Sequence, residues 1–216
     1  MSFLDCGVNE HMCAKVGDEI IWESSSEKLL GVTIDKRLTF DLHLEELCTK
    51  VRQKLNALAR LVRILPFNQR HLILTTFIES QFSYCPLVWM FCSRKMNGRI
   101  NRIHERALRL VYNDYETSYD ALLIKDKSLS FHHRNIHSLA IEMFKVKKNL
   151  SPTFMRELFS YNEGTDKFVR PRVNKVIGEC SMRNFGPIVW NTMVPQHIKS
   201  SPDLDTFKEL IKSRIP

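Results

Sequence analysis

Residues 39–66, TFDLHLEELCTKVRQKLNALARLVRILP, decide the fold. Leu44, Leu47, Val51, Leu55, Leu58 and Val62 fall three or four apart, which places them along one face of a helix of roughly six turns. Glu45 and Glu46 near its start suit the positive end of the helix dipole, and Pro66, which cannot continue the hydrogen-bond ladder, is its expected stop.

The same period continues downstream. A second helix is expected from about Gln69 to Tyr84, with Asn68 as its cap and Leu72, Thr76, Phe77 and Ser80 turned inward. Pro86 resets the chain, and the apolar run PLVWMFC leads into a third long helix beginning near Ser93. Its buried stripe would be Ile100, Ile103, Ala107 and Leu110 or Val111. Ser118 caps a short helix through Ile124, and Ser130 caps one carrying Leu139, Ala140, Met143 and Phe144. Ser151-Pro152 and Ser201-Pro202 each join a capping hydroxyl to a proline suited to the first helical position. The second pair opens a terminal helix with Leu204, Phe207, Leu210 and Ile211 on one side. Residues 161–180 are polar and irregular, a loop or extended arm.

Upstream of Thr39 the pattern is that of strands. DEIIW (18–22) and KLLGVTID (28–35) are short apolar runs separated by the polar ESSSE segment, and they are expected to pair as a β-hairpin. Residues 1–17 show no period of their own. The expected class is mainly α: an N-terminal hairpin (1–38), an amphipathic helical bundle (39–160), and a C-terminal arm with helices (161–216).

Charge is distributed unevenly. Residues 48–112 hold 12 Lys/Arg against Glu79 and Glu105, a local balance of +10, while the rest of the chain has 20 basic residues against 22 acidic. A cationic excess confined to helical segments points to a surface that meets a polyanion, most simply a nucleic-acid backbone. Arg99, Arg102, Arg106 and Arg109 are spaced three, four and three, and so project from one side of the third helix. The buried stripe is the same set shifted by one residue, about 100° around the helix, so the arginines should stand at the rim of a packed seam. There their forked donors can take phosphate oxygens and track a backbone. The competing reading is a solvated face on which Glu105 pairs with Arg102 and Arg109. Lys50, Lys54, Arg94 and Lys95 would join the arginine row if the first and third helices lie side by side. Tyr84, Trp89, Phe91 and Tyr112 interleave with these charges, and their expected place is the core rather than a stacking platform.

Other chemistries are not signalled. The sequence has no Asp-Asp dipeptide, no Gly-rich phosphate loop and no Gly-x-Ser-x-Gly elbow. His133, His137 and Glu142, and the loose set Cys6, His11 and Cys13, match no established zinc spacing, so neither metal nor cofactor is expected. Six scattered cysteines suit a reducing compartment, with Cys85 and Cys92 as small buried hydrophobes. The opening MSFLDCGVNE lacks a signal-peptide pattern, and the longest uncharged run, 80–93, is too short to span a bilayer. An intracellular protein of cytoplasm or nucleus, without membrane association, is the expectation.

Several strings, in order along the chain, carry a resemblance: KLLGVTIDKRLTFDLHL (28–44), KLNALARL (54–61), IESQFSYCPLVWMF (78–91), NRIHERALRLVYND (101–114), HHRN (132–135) and EMFKVKKNLSP (142–152). Together they resemble the C-terminal part of the reverse transcriptase polyprotein of non-LTR (LINE-type) retrotransposons. The resemblance runs from about Lys15 to the end and weakens over 164–180. It implies that residues 18–35 are the closing hairpin of the polymerase palm, that residues 40–65 begin the thumb, and that the palm's acidic pair would lie upstream of Met1. Phosphoryl transfer needs metal ions held by those carboxylates, so the family's RNA-directed DNA polymerase activity is not carried over. The thumb's grip on template and primer is: sequence-tolerant binding of RNA, DNA or their hybrid. Two alternatives stand beside it, a helical scaffold that mates with a protein or itself through exposed apolar surface, and a decayed transposon product without a selected role.

Overall fold

The computed structural model describes residues 2–4, 13–174 and 176–214. Cys6 and His11 lie outside them. The fold is mainly α, with short antiparallel strands in front of a helical bundle.

Strand pairing differs from the sequence expectation. β3 (Glu19–Trp22) pairs not with the KLLGVTID run but with β2 (Cys13–Val16), which also pairs β1 (Ser2–Leu4). The KLLGVTID run folds on itself, as β4 (Ser26–Leu29) against β5 (Val32–Asp35). The turn residues decide this. Leu30 and Gly31 have φ of 48° and 86°, and two consecutive positive values are what a tight two-residue hairpin requires. Gly17, φ 64°, turns β2 into β3 with a single positive-φ residue at the first loop position. The strand at 13–16 has no apolar alternation to announce it.

At the end of β5, the Asp35 carboxylate accepts the backbone N–H groups of Arg37, Thr39 and Phe40 at 3.0, 3.2 and 2.6 Å. Burial pushes its pKa up, but those hydrogen bonds outweigh it and leave the pKa below the usual carboxylate value. This knot delivers the chain into α1 (Asp41–Leu61), which buries Leu44, Leu47, Val51, Leu55 and Leu58 as the spacing requires. Two turns after its end bring the chain to Pro66.

α2 (Phe67–Ile73) starts directly after Pro66, without a side-chain cap, so Asn68 does not play that part. It runs through a π-helical stretch, Leu74–Glu79, into α3 (Ser80–Phe82). The buried residues there are Leu74, Ile78 and Phe82, whereas Leu72, Thr76, Phe77 and Ser80 all face outward. Leu74, Ile78 and Phe82 are four apart and keep one buried face across the wider π turn, while the Thr76 hydroxyl turns back to the Leu72 carbonyl.

After α4 (Pro86–Trp89), Ser93 caps α5 (Arg94–Tyr112) by accepting the Met96 N–H. The expected stripe is buried, joined by Met96, His104 and Leu108. Ser118 and Ser130 cap α6 (Tyr119–Asp126) and α7 (Phe131–Lys147). The Ser-Pro signals work differently. Ser151 Oγ is buried without a hydrogen-bond partner ahead of α8 (Thr153–Glu157). Farther on, Ser201 donates to Ile198 O while Asp203 accepts the Thr206 N–H at 2.9 Å. The region read as an irregular arm contains a small hairpin, β6 (Tyr161–Asn162) with β7 (Lys167–Phe168), and α9 (Val176–Glu179). Beyond it come α10 (Met182–Ile188), a second π stretch Val189–Met193, α11 (Gln196–Lys199) and α12 (Leu204–Arg214).

Two hydrophobic cores result. The first gathers α1, α2, α3 and α5 around Leu55, Ile78, Phe82 and Leu108. The second gathers Leu139, Met143 and Phe144 of α7 with Phe168, Trp190, Phe207 and Ile211, so residues from both sides of position 160 build it. α7 belongs to both, because its first residue, Phe131, packs into the first core.

The cores are clamped by one buried polar group. Glu79, with its side chain 12% exposed, accepts from His104 Nε2 at 3.1 Å and from Arg134 at 2.8 Å. On the other side of the ring, the Tyr119 hydroxyl meets His104 Nδ1 at 2.8 Å. Burial lowers the His104 pKa and keeps the ring neutral, so Nε2–H donates to Glu79 and Nδ1 accepts from Tyr119. Burial would raise the Glu79 pKa, but the hydrogen bonds from His104 and Arg134 prevail and hold it down at about 2.

Both groups bind protons more readily when unfolded, at ordinary values of 6.5 for His104 and 4.5 for Glu79, so each makes the fold lose stability on acidification. The His104 contribution is complete above its unfolded value and fades below it; the Glu79 contribution fades between 4.5 and about 2. Urea midpoints should therefore fall as the pH is lowered from 7 to 3. Glu79→Gln should cost on the order of 3 kcal/mol at neutral pH by leaving Arg134 without its anion, and should flatten the acid limb of that profile.

Candidate nucleic-acid interface

The arginine row lies where α5 packs beside α1. Arg99 reaches Glu45 at 3.5 Å and Arg106 donates to Asn56 Oδ1 at 2.9 Å. Because later residues of α5 meet later residues of α1, the two helices run side by side in the same direction. Glu45, Arg52 and Asn56 are seven and four apart and share one face of α1, so Arg52 stands between the two contacts. Beneath them, burial raises the Cys48 pKa while the Arg99 and Arg52 guanidinium groups pull the other way. Sequence reasoning missed Arg52 as a member of this surface. The signal was its helical phase relative to Glu45, which becomes informative only once the partner helix is placed.

The four arginines are not equivalent. Arg109 is committed to structure: Nε and Nη2 donate to Glu105 Oε1 at 3.2 and 2.7 Å, and Nη1 donates to the Tyr115 carbonyl. Arg99 is shared with Glu45. Arg102 is exposed and donates only to the Gly98 carbonyl of its own helix at 3.3 Å, and Arg106 is exposed beside Asn56. Among the described residues no carboxylate pairs with either of these two. Glu105 therefore pairs with Arg109 and not with Arg102.

Lys95 is exposed and continues the row one turn toward the helix start, and Arg94 is exposed but points about 140° away from Arg99 by helical phase. Lys50 and Lys54 are on the other flank of α1. Lys54 Nζ donates to the Phe77 carbonyl at 3.2 Å, and Lys50 lines a cavity under the β4–β5 hairpin. The interleaved aromatics divide in the same way. Trp89 is buried, Phe91 and Tyr112 are partly buried, and Tyr84 is half exposed, contrary to expectation, with its hydroxyl on the Leu30 carbonyl. Tyr112 donates to Asp126 at 2.9 Å, and burial together with that acceptor pushes its pKa up to about 12.

Among the described residues no group of three or more His, Cys, Asp or Glu side chains is placed to hold a metal ion. Cys48, Cys85, Cys92 and Cys180 are free thiols, and burial raises the Cys92 thiol to about 11, well out of the reactive range. No described helix is long and apolar enough to cross a membrane.

In comparisons with known proteins, no family model, no curated protein and no solved structure matches the chain.

The division of roles among the arginines has a measurable consequence. Arg109→Ala should lower stability by about 0.5–1 kcal/mol in urea unfolding, through loss of the Glu105 pair and the Tyr115 tether, whereas Arg102→Ala should leave the urea midpoint close to wild type.

Proposed function

We propose that this chain is a nucleic-acid-binding module of the kind found after the palm in non-LTR retrotransposon reverse transcriptases, binding template and primer by their backbones and carrying out no chemistry of its own. The observation that carries this reading is the α1–α5 ridge, where Arg52, Arg102 and Arg106 present guanidinium groups that no described carboxylate neutralises, on helices fixed by a hydrophobic core. A hairpin followed by a basic helical bundle is also the order that the family resemblance implies. The lack of an Asp-Asp pair in the sequence favours binding over catalysis.

Backbone recognition of this kind is sequence-tolerant and salt-sensitive, because each neutralised phosphate releases counterions. Titration of an RNA–DNA hybrid and of duplex DNA at rising salt should give closely similar affinities that fall steeply. Arg102→Ala with Arg106→Ala should weaken both by roughly tenfold or more and reduce the salt slope by about 2. Unchanged affinity and slope in the double variant would refute the reading.

A second reading rests on a different observation. β3 is the edge of its sheet and leaves Ile20, Ile21 and Trp22 each more than half exposed, on both faces of the strand. An edge this apolar suits pairing with another chain. If the chain is a self-associating scaffold, light scattering should show mass rising with concentration, and Ile21→Lys should abolish the rise; a monomer at all concentrations rules out self-association through this edge.

A further inference from the structure

The second basic element, on the far flank of α1, is organised around His43. The residue is 8% exposed where α1 passes the β4–β5 hairpin, and the Thr33 N–H donates to Nδ1 at 3.3 Å. An imidazole nitrogen that accepts a backbone N–H cannot itself carry the proton, so the ring proton sits on Nε2, which is left as a donor. Burial, with Lys50 and Lys28 adding to it against the pull of Glu46, lowers the His43 pKa and keeps the ring in this neutral form.

His43 lines a cavity of about 410 Å³ with Lys28 of the hairpin, Lys50 of α1, and Gln81 and Tyr84 at the end of the second helical run. Glu46 is the one carboxylate in that lining, and its Oε2 already accepts the Thr33 hydroxyl at 3.1 Å. The walls are held together from two sides. Thr33 ties the hairpin to α1 through His43 and Glu46, and the Tyr84 hydroxyl fastens the hairpin tip at Leu30.

We propose that this cavity binds a phosphate group, that of a nucleotide or of a nucleic-acid backbone, through the ammonium groups of Lys28 and Lys50 and the Nε2–H of His43. Two point cations and a neutral N–H, with one carboxylate turned to another partner, leave the cavity with net positive charge and several donors, which suits the many acceptor oxygens of a phosphate. No forked guanidinium is present in the lining, so a planar carboxylate finds no matching pair of donors. The space exceeds that of the phosphate alone and has room for an attached sugar beside the Tyr84 ring. The site lies on the opposite flank of α1 from the Arg52, Arg102 and Arg106 ridge and does not depend on it.

The experiment follows the His43 ring by NMR while the protein is titrated with inorganic phosphate, a 5′-mononucleotide and an RNA–DNA hybrid. A saturable shift is expected, with its midpoint moved about tenfold higher by Lys28→Ala and by Lys50→Ala, since each removes one charge-assisted contact. Both lysines are exposed, so the variants retain the fold, as urea unfolding will verify. A response to phosphate and mononucleotide but not to hybrid assigns the site to free nucleotides; a response to hybrid that the lysine variants weaken assigns it to backbone phosphate. No saturable shift with any of the three, or one with the same midpoint in both lysine variants, overturns the proposal. Arg102 and Arg106 are intact in these variants, so failure here is distinct from failure of the ridge.

Discussion

A single buried carboxylate sets the geometry on which the rest depends. Glu79 lies at the end of a π-helical turn, and its partners come from α5 and α7. An unpaired carboxylate at that depth would cost several kcal/mol, so the helices carrying His104 and Arg134 must approach it together or not at all. That condition rotates α5 until His104 points inward. The arginines one residue away from the buried stripe are then placed at the rim, so the outward basic ridge is a consequence of the inward polar contact.

The same contact relates the two cores. Arg134 follows Phe131 by about one turn of α7, and past it the helix turns Leu139, Met143 and Phe144 into the second core. There a second hub repeats the arrangement, again with a carboxylate at its centre and a cation among its donors. Asp166 takes Lys147 at 2.8 Å, the Tyr161 hydroxyl and Gln196 at 2.8 Å, and Lys147 and Lys199 stand over the Trp190 ring at 5.3 and 5.6 Å. Burial lowers the Lys199 pKa, and the attraction of Asp166 works against that. A segment that reads as an irregular arm is thereby an integral wall of a core, fixed by one aspartate and one tryptophan.

The helices were legible because their signals are local. The α1 and α5 stripes, and the serines ahead of α5, α6 and α7, follow from spacing and capping chemistry alone. What was not legible depended on non-local or competing effects. The buried face of the second helical run is Leu74, Ile78 and Phe82, four apart, and local spacing does not distinguish it from the Leu72, Thr76 and Ser80 row that carries the same period. The strand pairing was misread because positive φ at a leucine, Leu30, leaves no mark in the sequence. Ser151 and Ser201 looked like caps, yet Asp203 was better placed for one helix and the other began without one. The arginine row was legible as a row, but its inequality was not, since Glu45 and Asn56 lie more than forty residues away in the chain.

Charge arithmetic explains why part of that row stays open. Between residues 48 and 112, twelve cations share two carboxylates. Glu79 is consumed in the interior by His104 and Arg134, and Glu105 is taken by Arg109 one turn along its own helix. The start of α1 contributes Glu45, which reaches Arg99 and no farther. Among the described residues no carboxylate pairs with Arg102 or Arg106, and Asn56 opposite Arg106 offers a dipole but no charge. Water and mobile counterions must compensate these guanidinium groups. Counterions held in that way are released when a phosphate backbone takes their place, so the local shortage of carboxylates is itself the source of the binding free energy that the proposed function requires.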